Sequence, residues 1–96
     1  MNKEVIFLID SEQYDRNILG LTLEKYTKCR VFNFFSFEET LLYKHLNPKL
    51  ILHDNGNIDA SYFEEKVSFY NISGVPKTID TSEFALSLAS EVKYLV

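Results

Sequence analysis

The sequence predicts an α/β fold: a three-layer sandwich in which a small parallel sheet of about four strands, in order 2-1-3-4, lies between helices, as one domain over residues 1–96. Three observations carry this. Val5-Ile6-Phe7-Leu8-Ile9 and Leu50-Ile51-Leu52 are unbroken apolar runs, which suits strands covered on both faces. Segments of helical apolar period alternate with such runs, the pattern of βαβ units. Both runs lead into an acid, Asp10 and Asp54, where open α/β sheets place their ligands.

The elements follow in order. Strand one covers residues 4–10 and helix one about 12–26, with Tyr14, Ile18 and Leu21 on one stripe and Leu19, Leu23 and Tyr26 widening it. Strand two, Arg30 to Phe35, is rich in β-favouring side chains. Ser36 and Glu39 make a capping box that starts a short helix carrying Leu41, Leu42 and Leu46, and Asn47-Pro48 ends it. Strand three is 49–54, and a turn through Gly56 leads to a helix at about 60–70 with Phe63, Val67 and Tyr70 inward. Val75 to Ile79 reads as a short fourth strand, with Pro76 suited to its end or to an edge. The last helix, about 82–95, has the clearest period, through Phe84, Leu88, Val92 and Leu95, and Asp80 and Glu83 form a second capping pair.

Composition narrows the function. An apolar fraction of 46%, with eight Phe and six Tyr, is ample for a packed core and excludes a disordered chain. A net charge of −4 with scattered basic residues argues against nucleic-acid binding. The single Cys29 has no partner for an internal disulfide, and no Cys/His spacing suggests zinc, so a reduced, cytoplasmic setting is expected. The five-residue N-terminal apolar run is too short for a signal-peptide core, and no run approaches the ~18 apolar residues of a membrane span.

Two acids at neighbouring strand ends repel each other, and a divalent cation relieves that repulsion. Mg²⁺ prefers oxygen ligands, so two carboxylates and a backbone carbonyl suit it. A carboxylate beside it can attack phosphorus, with a hydroxyl and a lysine steadying the phosphoryl oxygens.

These residues resemble the receiver domains of two-component response regulators, whose sheet is of the flavodoxin-like type. Phe7-Leu8-Ile9-Asp10-Ser11-Glu12 is similar to that family's first-strand signature. Pro48 through Asp54 is similar to the segment that carries its phosphorylated aspartate, and Lys77 through Phe84 to its closing Lys-Pro segment and last helix. The resemblance implies Asp54 as phosphoacceptor, a Mg²⁺ site from Asp10, Asp54 and the Gly56 carbonyl, and Lys77 on the phosphoryl group. It also implies a phosphorelay role, with a histidine kinase or a downstream signalling protein as partner.

Three departures stand out. The family's second acid is Ser11 here, Thr78 follows the lysine in place of proline, and one βα unit is missing. If Val75 to Ile79 stands for the family's fifth strand, Lys77 keeps the lysine role; if it stands for the fourth, Thr81 supplies the hydroxyl and the lysine is lost. The expectation is therefore a shortened, atypical receiver-like signalling module that is not an enzyme and acts by protein–protein interaction. Its homodimer contact would be the uncovered sheet edge or the last helix. Two alternatives stay open: an active Mg²⁺-dependent receiver phosphorylated on Asp54, and a small phosphohydrolase with Asp10 as nucleophile. Plainer readings also stand: Asp54 in an Asx-type turn with Asn55-Gly56, Ser11 as helix N-cap, Lys77 as a solvated edge lysine, and His45 and His53 as structural or surface residues.

Overall fold

The computed structural model describes residues 3–10, 12–54, 58–72 and 81–96, with the side chains of 13–15 and 81 outside that description. Four strands, β1 (Val5–Ile9), β2 (Arg30–Phe34), β3 (Leu50–His53) and β4 (Ser68–Asn71), form an all-parallel sheet in the order β2-β1-β3-β4. The α/β architecture and the strand order are thus those the sequence predicts. Strands β1 and β3 are central and buried on both faces, which is why their sequences do not alternate.

Alternation along β1 and β3 divides the core in two. Ile6, Leu8, Leu50 and Leu52 face helices α1 (Gln13–Thr27) and α3 (Thr81–Val92), meeting Leu19, Leu23, Phe84, Ala85, Leu88, Ala89 and Val92. Phe7, Ile9 and Ile51 face the opposite layer with Phe34, against Phe37, Leu46, Phe63 and Phe69. That layer is aromatic: Phe7 and Phe34 ring centroids lie 4.8 Å apart, and Phe63 and Phe69 5.8 Å apart. Among the described residues its helical content is one short helix, α2 (Phe37–Thr40), and two 3₁₀ segments, Leu41–Leu46 and Ala60–Tyr62.

Several local expectations change. Helix α1 turns Leu19 and Leu23 inward and leaves Leu21 72% exposed, because two positions along a helix is about 200° around it. Its N-cap is Glu12, whose side chain makes no cap bond, while the Asp10 carboxylate accepts the Glu12 amide at 2.9 Å; Ser11 lies outside the described residues. Lys28 ends α1 in the left-handed region at φ 63°. Ser36 caps α2 as expected, accepting the Glu39 amide at 3.4 Å, but Glu39 reaches the Phe35 amide rather than that of Ser36. Past Thr40 the helix tightens to 3₁₀, Leu42 points outward, and Asn47 at φ 54° before Pro48 stops it.

The helix expected over about 60–70 is not formed. Asp59 caps only the single turn Ala60–Tyr62, accepting the Ser61 amide at 3.0 Å, and Ser68–Asn71 pairs with β3 as the fourth strand. Phe63, Val67 and Tyr70 do face inward in part, but Val67-Ser68-Phe69-Tyr70 is a β-favouring run beside an open strand, and pairing overrides the helical spacing. The stretch 54–67 is long enough for the parallel return without a full helix. The fourth strand expected at Val75 to Ile79 lies outside the described residues.

Helix α3 ends at Val92, with Leu95 beyond it 39% exposed, and it runs antiparallel to α1. Its first turns, at Ser82 and Leu86, line one groove with the C-terminal half of α1, at Leu21, Thr22, Lys25 and Tyr26. Near its other end the Glu91 carboxylate accepts the Tyr70 hydroxyl of β4 at 2.6 Å. Buried Ala85 and Ala89 lie in the core this helix shares with α1, where small side chains allow close approach.

Candidate functional site

Asp10 and Asp54 end adjacent central strands. Ile9 is in register with His53, and the Asp54 amide donates to the Ile9 carbonyl at 3.2 Å, so the two acids follow side by side at the C-terminal edge. The Asp10 amide donates to the Phe34 carbonyl at 3.1 Å, which ties the same edge to β2. Their environments differ. Asp10 is 1% exposed, and its Oδ1 holds the amide at the start of α1, where the helix dipole favours negative charge. Asp54 is half-buried and is the more accessible carboxylate.

Arg16 is the residue that sequence reasoning missed. It sits in the first turn of α1, and its Nη1 donates to the Asp10 carbonyl at 2.8 Å, which brings a guanidinium to the edge where the acids end. The only signal for it was its position six residues after Asp10, one helical turn past the strand end. Five donors on a delocalised cation let Arg16 bind a carbonyl while its charge serves the surroundings.

His53 faces away from the pair: it is buried, and its ring lies 6.4 Å from that of Phe69, in the aromatic layer. His45 is exposed. Glu12 is exposed at the N-cap and supplies no side-chain cap bond. Gly56 and Lys77 lie outside the described residues. Thr81 begins α3, next to Ser82 in the groove beside the C-terminal half of α1; that is the end of the sheet opposite Asp54, so the fold does not bring Thr81 to the acid pair.

Comparison of the chain with family models, with curated proteins and with solved structures finds no match. Function rests on the geometry alone.

Among the described residues, no group of three His, Cys, Asp or Glu side chains is placed to hold a metal ion. Two strand-end carboxylates, one of them bound to a helix amide, are a partial donor set for Mg²⁺, which takes six near-ideal oxygen positions. Nor does any helix among them have the length and apolarity to cross a membrane.

Proposed function

We propose that this chain is a receiver-like signalling module that keeps the strand-end acid pair of its fold and acts through protein–protein contact in the cytoplasm. Its partner on this reading is a histidine kinase or a downstream signalling protein. The observation that carries the reading is the juxtaposition of Asp10 and Asp54 on adjacent strand ends of a β2-β1-β3-β4 parallel sheet. Three features favour loss of phosphoryl chemistry over its retention. Ser11 stands where the family has a second acid, Arg16 brings a fixed cation beside Asp10, and the last helix starts at the far end of the sheet.

A second reading keeps the chemistry. Asp54 is the accessible acid of the pair and has the position of a phosphoacceptor, and Mg²⁺ bound there would neutralise the phosphoryl oxygens. This reading needs at least one further oxygen donor from residues 55–57, where Gly56 lies. The buried Asp10, already bound to the Glu12 amide, is a poor candidate for a nucleophile in its own right.

One assay separates the two. The protein is incubated with Mg²⁺ and acetyl phosphate, and intact-mass spectrometry follows a hydroxylamine-labile phosphate. The interaction-module reading expects no adduct. An adduct on the native chain that vanishes in Asp54→Ala overturns it in favour of the phosphoacceptor.

A further inference from the structure

The β2 edge of the sheet is occupied, and by side chains rather than by a neighbouring strand. Strand β2 is terminal in the sheet order, so alternate residues turn their amide and carbonyl groups away from β1. The inward set is fixed by two bonds: the Arg30 amide donates to the Glu4 carbonyl at 2.9 Å, and the Phe34 carbonyl accepts from Asp10. The outward set is therefore Val31, Asn33 and Phe35. Glu24 of α1 accepts the Val31 amide at 3.2 Å, and Glu39 of α2 accepts the Phe35 amide at 2.6 Å. Each carboxylate comes from the helix on its own side of β2 in the chain, so the two flanking elements close the strand from both ends.

We infer that Glu24 and Glu39 guard the β2 edge against strand addition, and that the occupant they exclude is the β2 strand of a second copy. An exposed row of amides and carbonyls is a template for another strand. About a two-fold axis through Asn33 this row is self-complementary: each Asn33 faces its counterpart, and Val31 of one copy faces Phe35 of the other. Such an antiparallel join would make one continuous sheet from two. It requires the Val31 and Phe35 amides, which the carboxylates hold. It would also bring four carboxylates to one seam, and their mutual repulsion adds to the block. Phe35, 63% exposed at the end of the row, is the apolar contact that the join would cover.

The test uses three variants of the whole chain. In Glu24→Ala/Glu39→Ala both acceptors are lost; amide exchange at Val31 and Phe35 should quicken on the order of fivefold in dilute solution. The same protein, concentrated, should shift to dimer in analytical ultracentrifugation where the native chain stays monomeric. Adding Asn33→Pro removes the central outward amide, which the sheet does not use, and should restore the monomer. Glu24→Gln/Glu39→Gln keeps both acceptor oxygens and should exchange at these amides like the native chain. A native chain that is itself dimeric through β2 overturns the inference. So does an alanine pair that stays monomeric with unchanged exchange, or whose association survives Asn33→Pro. None of these outcomes depends on whether Asp54 is phosphorylated.

Discussion

Gly20→Ala tests how closely α1 lies on the sheet. Gly20 is buried in the middle of α1, and a Cβ there would meet the Asn33 side chain at 2.5 Å from Oδ1, 2.9 Å from Nδ2 and 3.1 Å from Cγ. Two effects oppose each other. Alanine in a helix interior is favoured over glycine by about 1 kcal/mol. Displacing the Asn33 carboxamide from its present rotamer costs on the order of 1 kcal/mol, because Asn33 is an exposed edge residue whose amide can swing into water. Gly20→Ala alone should therefore fall within about 0.5 kcal/mol of the native chain. In an Asn33→Ala background the clash is gone, and the same change should stabilise by about 1 kcal/mol, or roughly 5 °C for a domain of this size. Urea denaturation followed by far-ultraviolet circular dichroism gives all four corners of the cycle. A loss of more than about 2 kcal/mol in both backgrounds would show that the backbone of β2, and not the Asn33 amide, sets the approach of α1.

Three further outcomes can be measured on the same protein. Lys28→Gly should stabilise by about 1 kcal/mol in the same urea assay, because Lys28 caps α1 at φ 63°, where a Cβ is strained and glycine is not; no gain would mean that the lysine makes a compensating contact. The Tyr70 hydroxyl donates to Glu91, and that hydrogen bond, then burial, then the carboxylate charge raise its pKa above the ordinary 10.0. Since the folded value is the higher one, the stabilisation is complete below pH 10 and is lost as pH rises through the folded value, so the advantage of the native chain over Tyr70→Phe should shrink as pH rises on the alkaline side. Arg16→Ala removes the cation at the Asp10 carbonyl; if that charge makes Mg²⁺ unnecessary, added Mg²⁺ should raise the melting temperature of the variant by several degrees more than that of the native chain, and equal responses would refute the role.

What could be read in the sequence follows from how many interactions decide each element. The runs of β1 and β3 are buried on both faces, so their continuous apolar character has one interpretation, and the acids that follow them are placed by the strands themselves. Pro48 after Asn47 likewise ends a helix by local sterics alone. Residues 60–70 read as a helix because Phe63, Val67 and Tyr70 recur at helical spacing; in the structure Phe63 and Val67 pack in the aromatic layer and Tyr70 in the α1–α3 core, and the open edge of β3 selects the strand over Ser68–Asn71. Arg16 was invisible for another reason. Its bond is to a backbone carbonyl, which leaves no mark on the spacing of side chains.

The direction of α3 bears most on what the strand-end acids can do. In a sheet where every helix follows directly from a strand's C-terminal end, all helix starts gather at that edge and bring their amides and first-turn side chains to the ligand. Helix α1 obeys this, and the result is visible in the Asp10 carboxylate on the Glu12 amide and in Arg16 beside it. Helix α3 starts beside Tyr26 and ends where Glu91 meets Tyr70, so it presents its C-terminal, carbonyl-bearing end toward the acids' side of the sheet. The negative end of a helix dipole does nothing to steady a phosphoryl dianion. Positive potential at the edge then comes, among the described groups, from the start of α1, the start of the single-turn α2 and one guanidinium. Among these, the start of α1 is where the Asp10 carboxylate is held, through the Glu12 amide.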